Sequence, residues 1–126
     1  MKVTLYGIPN CDQVKKARSW LSEQAIEFHF HDFKKSGVTA EMVQLWLVHL
    51  ERSSLINRKG TTWRNLPETE QALVVDDDSA IHCMVKSPSV IKRPVLVLQN
   101  GKQTEISAGF SEENYRRMFH ISDLPR

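Results

Sequence analysis

The amino-acid sequence predicts an α/β domain, thioredoxin-like in the order of its elements: β-α-β, a helical insertion, then β-β-α on a four-stranded mixed sheet. Three observations carry this. Val3-Thr4-Leu5-Tyr6 is a β-type run that gives way, through Gly7-Ile8-Pro9-Asn10, to a helical stripe of Val14, Ala17 and Leu21. Ile26, Phe28 and Phe30 then alternate with Glu27, His29 and His31, the pattern of a half-buried strand. Strand, helix and strand this close together make a βαβ unit, whose strands are expected to be parallel. Near the other end, Pro94-Val95-Leu96-Val97-Leu98 is an apolar strand, Asn100-Gly101 signals a type I′ turn, and Thr104-Glu105-Ile106 returns.

Between these halves, over about residues 38–87, the period is helical. Thr39 is the expected N-cap of a helix carrying Met42, Val43, Leu45, Trp46 and Leu50. Asn57-Arg58-Lys59-Gly60-Thr61-Thr62-Trp63-Arg64 reads as a loop. Pro67 can open a short helix through Leu73, because a first-turn residue needs no N–H. Asp76, Asp77 and Asp78 give an acidic start to a helix through Ala80, Ile81, Met84 and Val85, ending before Pro88. Capping explains that triplet better than a metal site. Ser111 is the expected N-cap of a final helix whose buried face is Tyr115, Met118 and Phe119. One domain over 1–126 is the expected organisation.

Composition narrows the function classes. The chain has 126 residues, 40% hydrophobic and 25% charged, with a formal net charge of +2. So small an excess, without a basic run, argues against nucleic acid and suits small anions. No apolar stretch approaches the roughly 20 residues that span a bilayer, and the N-terminus lacks signal-peptide character. A cytoplasmic location without a membrane partner is therefore expected. The two cysteines, Cys11 and Cys83, form no CxxC and no zinc spacing, and a reducing compartment argues against a disulfide between them.

Cys11 is the leading candidate for chemistry. It falls where the first strand becomes the first helix, facing unpaired N–H groups and the positive end of the helix dipole. Both favour thiolate over thiol. Lys15, four residues on, adds an opposite charge on the same face, partly offset by Asp12. Arg93-Pro94 is second: a cis X–Pro bond at the start of the third strand would lie beside the cysteine, and an arginine there can hold an anion through a bidentate fork. Arg58 is third, in a donor-rich loop suited to a carboxylate or oxyanion. Trp63 reads as a core anchor in preference to a wall of the site. His29 and His31 share a strand face but lack a third metal ligand. Cys83 reads as packing in its helix, with the role of a resolving cysteine as the alternative.

Taken together, the strand into Asn10-Cys11, the Lys15-Lys16-Ala17-Arg18 helix start, Arg58, Ser87-Pro88…Ile91-Lys92-Arg93-Pro94 and Gly109-Phe110 resemble the ArsC/Spx family. These glutaredoxin-like proteins include arsenate reductases and the RNA polymerase-binding regulator Spx. The Leu5-Tyr6-Gly7-Ile8 opening and the Arg58–Arg64 loop look closest to a YffB-like subgroup. The resemblance implies Cys11 as nucleophile, with Arg58 and Arg93 matching two arginines that arsenate reductases place on the oxyanion. Two departures stand out. A third family arginine is missing where the chain reads Gly109-Phe110-Ser111-Glu112, and Val14 replaces the second cysteine of Spx-type switches.

The reading that follows is a monothiol reductase with no bound cofactor, using glutathione as co-substrate on a small oxidised or disulfide substrate. Cys11, Arg93 and Lys15 would be catalytic; Asn10, Arg58, Thr61, Thr62 and Pro94 would bind glutathione or substrate. The alternatives are arsenate reduction at the same site and a non-enzymatic, Spx-like module that binds RNA polymerase.

Overall fold

In the computed structural model, which describes residues 1–122, the elements in chain order are β1 (Lys2–Gly7), α1 (Asp12–Glu23), β2 (His29–Asp32), α2 (Phe33–Ser36), α3 (Ala40–His49), α4 (Arg52–Leu55), α5 (Thr61–Arg64), α6 (Glu68–Ala72), α7 (Asp77–Lys86), β3 (Val95–Asn100), β4 (Gln103–Ala108) and α8 (Glu112–Met118). The chain divides into two compact units. Met1–His31 joins the chain from Arg93 onward, and Asp32–Lys92 forms the second, wider than the helical insertion expected over 38–87.

The first unit is built on a four-stranded mixed sheet in the order β2-β1-β3-β4. β3 pairs antiparallel with β1 and with β4, aligning Tyr6 with Val95 and Val95 with Ala108. As a central strand β3 is covered on both faces, which explains its unbroken apolar run from Val95 to Leu98. Val3, Leu5, Ala17, Trp20, Leu21, Leu96, Leu98, Tyr115 and Met118 make one buried cluster. Each large member contributes about 1.5–3 kcal/mol by leaving water.

Gly7 closes β1 because nothing larger fits. A Cβ there would lie 2.7 Å from Val14 Cγ2 on α1, and a β-branched side chain has little freedom to turn away. Gly7→Ala is therefore expected to destabilise the fold by about 1–3 kcal/mol through overpacking. An unchanged urea midpoint would show that Val14 gives way freely.

Three boundaries in this unit differ from the sequence reading. α1 ends in a Schellman motif: Ile26 N–H donates to Leu21 C=O and Ala25 N–H to Ser22 C=O, both at 3.0 Å, with Ala25 at φ +56°. Those residues are spent on the helix end, so β2 begins at His29 rather than Ile26. The hairpin closes through Gly101-Lys102, since Asn100 pairs with Gln103. Gly101 has φ +63° and Lys102 has no positive φ, which is a type II′ pattern instead of type I′. Phe119 caps the C-terminal end of α8 and is half-buried rather than core.

In the second unit, α3 packs on α7, and α7 and α5 on the 3₁₀ turn Pro88–Val90. Thr39 Oγ1 accepts from Met42 N–H, as expected of an N-cap. Only Val43 and Trp46 of the predicted α3 stripe are buried; Leu45 faces solvent and Met42 and Leu50 are half-buried. Asp76 caps α7 through a capping box with Ser79, and Asp77 and Asp78 make its first turn acidic. Ala80 and Met84 form its buried face, while Ile81 is half-buried and Val85 exposed. Pro67 is the N-cap of α6, one position earlier than expected, and α6 buries no residue. Ile56 and Ile91 bridge antiparallel, with Lys92 N–H donating to Leu55 C=O (2.7 Å) and Asn57 N–H to Val90 C=O (2.8 Å). Among the described residues, no helix is long and apolar enough to cross a membrane.

Candidate functional site

Cys11 is the N-cap residue of α1, extended at φ −137°, ψ 127°. Its carbonyl accepts from Lys15 N–H at 2.9 Å, the first bond of the helix, while its side chain makes no capping bond. The thiol is half-buried and not in a disulfide. A serine or aspartate side chain here would fold back onto the helix N–H groups. A cysteine leaves those donors for an anion at the same place.

The sheet register sets what else stands at this end of the first unit. Tyr6 aligns with Val95 and Val95 with Ala108, so the end of β1, the start of β3 and the end of β4 meet there. Cys11 follows β1 through Ile8-Pro9-Asn10, and Arg93-Pro94 enters β3. The Arg93–Pro94 bond is cis. Pro94 is buried, its carbonyl accepting from Gly109 N–H at 2.8 Å. Arg93 is half-buried; Asn10 and Lys15 are exposed. The fold thus gathers Asn10, Cys11, Lys15, Arg93 and Pro94 at one end of one unit. Glu112, the acid that follows this end, is committed to Arg116 at 2.9 Å.

Arg58, Thr61 and Thr62 belong to the second unit. Arg58 is exposed, its guanidinium carbon 5.1 Å from the Trp63 ring centroid, a cation–π contact. Trp63 is buried, as a core anchor should be. Thr61 and Thr62 lie in the first turn of α5, not in a loop as expected, Thr61 exposed and Thr62 half-buried.

Tyr6 is a group at the Cys11 end that the sequence reading passed over as a strand residue. It is half-buried, its ring centroid lies 4.9 Å from that of His31, and burial pushes its hydroxyl pKa up. Among the described residues, no three His, Cys, Asp or Glu cluster as ligands. Cys83 sits in α7, half-buried; burial and then Glu70 push its thiol pKa up, against a smaller pull from Lys86.

Comparison with known proteins shows the family of the chain. The sequence model of the ArsC family matches residues 6–118. The solved YFFB protein is 40% identical, with 92% of this chain and 97% of that one covered and a TM-score of 0.82. An arsenate reductase (ArsC) related protein from Brucella melitensis is 44% identical, covering 94% and 95%, with a TM-score of 0.69. The global transcriptional regulator Spx of Streptococcus pyogenes is 26% identical over 90% of this chain and 82% of its own.

Proposed function

We infer the chemistry of this protein from the premise that the chain belongs to the ArsC family, a family of reductase-like proteins. The observation that carries the inference is Cys11, a half-buried thiol at a helix N-cap whose side chain makes no capping bond. The reaction is thiol–disulfide exchange with glutathione. The Cys11 thiolate attacks the glutathione sulfur of a mixed disulfide, forming a Cys11–glutathione disulfide and releasing the substrate thiolate. A second glutathione thiolate attacks that disulfide, giving oxidised glutathione and restoring Cys11. Each step makes one S–S bond and breaks one, so no metal or bound cofactor is needed. Position 14 is Val14, so the resolving thiol comes from the second glutathione.

Arg93 has the chemistry to hold a glutathione carboxylate through its planar fork. Lys15 and Asn10 supply further donors on the Cys11 side, and Pro94 a buried backbone wall. Arg93→Ala is expected to lower kcat/KM about tenfold or more, the worth of a charged hydrogen bond. Arg93→Lys should recover little of it, because an ammonium does not reproduce the bidentate geometry. Full rescue by lysine would reduce Arg93 to a point charge.

The test is turnover of a glutathione mixed disulfide coupled to oxidation of glutathione, with arsenate as a parallel substrate. A single glutathione adduct on Cys11, found by peptide mass, is the expected intermediate. Turnover of arsenate but not of the disulfide would move the reaction to the oxyanion. Likeness to Spx favours a second reading, a module that binds RNA polymerase. It predicts polymerase capture that survives Cys11→Ser.

A further inference from the structure

The second unit holds a cavity of about 400 Å³ that the chemistry above does not use. Leu66, Leu73 and Val74 form its apolar wall, and α7 contributes His82 and Cys83. The ion pair of Lys86 and Glu70, at 3.7 Å, stands on the same lining. This volume falls in the lower part of the roughly 300–1,000 Å³ range of small-molecule clefts, and an apolar wall with a few polar groups is their usual makeup. Leu73 is 69% exposed, leaving apolar surface for a guest to cover.

We propose that this cavity takes compact apolar molecules carrying an α,β-unsaturated carbonyl group, and that Cys83 is the residue that captures them. The Cys83 sulfur bonds to the β-carbon, the carbon–carbon double bond becomes single, and the thiol proton ends on the α-carbon. Nothing is oxidised or reduced. Lys86 is the cation of the lining and suits the carbonyl oxygen, where negative charge develops during the addition. Burial and Glu70 favour the protonated thiol, so Cys83 reacts slowly with reagents that only collide with it. Residence in the cavity offsets that by holding the carbon against the sulfur. The cavity thereby selects by shape and polarity.

The experiment uses the Cys11→Ser chain, in which Cys83 is the remaining thiol of two. N-Phenylmaleimide and N-methylmaleimide carry the same electrophile and differ in the apolar part. Their labelling rates, read by intact mass, are each divided by the rate for N-acetylcysteine. The phenyl-to-methyl ratio on Cys83 is expected to exceed the free-thiol ratio at least about tenfold, equivalent to about 1.4 kcal/mol. N-Phenylsuccinimide, the saturated analogue, should return the ratio toward one, and so should Leu73→Glu at the exposed wall. A ratio equal to that of the free thiol overturns the proposal. So does a preference that neither the analogue nor Leu73→Glu reduces. Peptide mapping of the chain with both cysteines gives the same comparison if the serine variant folds poorly. None of these readouts depends on turnover at Cys11.

Discussion

Cys11→Ser is expected to remove disulfide reduction while leaving the protein as stable as before, or slightly more so. The loss follows from the chemistry: a hydroxyl neither ionises near neutral pH nor forms a disulfide. Deletion of a nucleophile costs on the order of 10³-fold or more in rate. Cys83 offers no substitute, because its thiol pKa is pushed up by burial and Glu70. The retained stability follows from the N-cap. Cys11 is extended and its side chain caps nothing, whereas serine accepts from the N–H groups two and three residues on. Such caps contribute about 0.5–2 kcal/mol, so the variant's urea midpoint should hold or rise. A local rule broken at one position and satisfied by mutation away from function is what a chemically employed residue looks like. Turnover that survives the change, or a clear fall in stability, would mean that Cys11 is structural.

Much of the fold was legible in the sequence because its signals are local. Thr39, Asp76 and Ser111 cap their helices with their own side chains, and capping is a local signal written in residue type. β3 was legible because a central strand needs apolar residues on both faces. The frame around Cys11 was legible for a related reason: β1, its loop and α1 are contiguous in the chain. What escaped is set by backbone closure. α1 and α8 both end in Schellman motifs whose left-handed residue is Ala25 or His120, not glycine. In α8, Ile121 N–H reaches Arg116 C=O at 2.8 Å. A helix end without glycine sends no signal, so β2 was read three residues early. The hairpin slipped by one residue because the Asn100-Gly101 signal fixes that a turn occurs, while pairing across β3 and β4 fixes its centre. Tyr6 was legible as a strand residue of β1, but its ring contact with His31, 4.9 Å between centroids, joins two strands and is written in neither one alone.

Tyr115 separates packing from polarity in the core of the first unit. It is fully buried, edge-on to Phe110 (4.9 Å) and Trp20 (5.6 Å) between ring centroids. Its hydroxyl is buried and makes no hydrogen bond among the described residues. Tyr115→Ala is expected to cost about 3–5 kcal/mol, as for other large aromatic deletions. That is a large part of the roughly 5–15 kcal/mol that holds a domain of this kind together. Tyr115→Phe keeps the rings and removes the unpaired group, so it should raise stability by about 1 kcal/mol. Burial also pushes the Tyr115 pKa far up from its ordinary value of 10.0. The folded state then holds its proton more tightly than the unfolded one, so stability is full below about pH 10 and falls as pH rises beyond it. Tyr115→Phe should flatten that fall without abolishing it, because burial raises the pKa of Tyr6 as well. Urea midpoints for the wild type and both variants, taken from neutral pH to beyond pH 10, test all three expectations together. Parallel alkaline profiles for wild type and Tyr115→Phe would mean that the hydroxyl finds water or a partner when the chain folds. A lower midpoint for Tyr115→Phe at neutral pH would say the same.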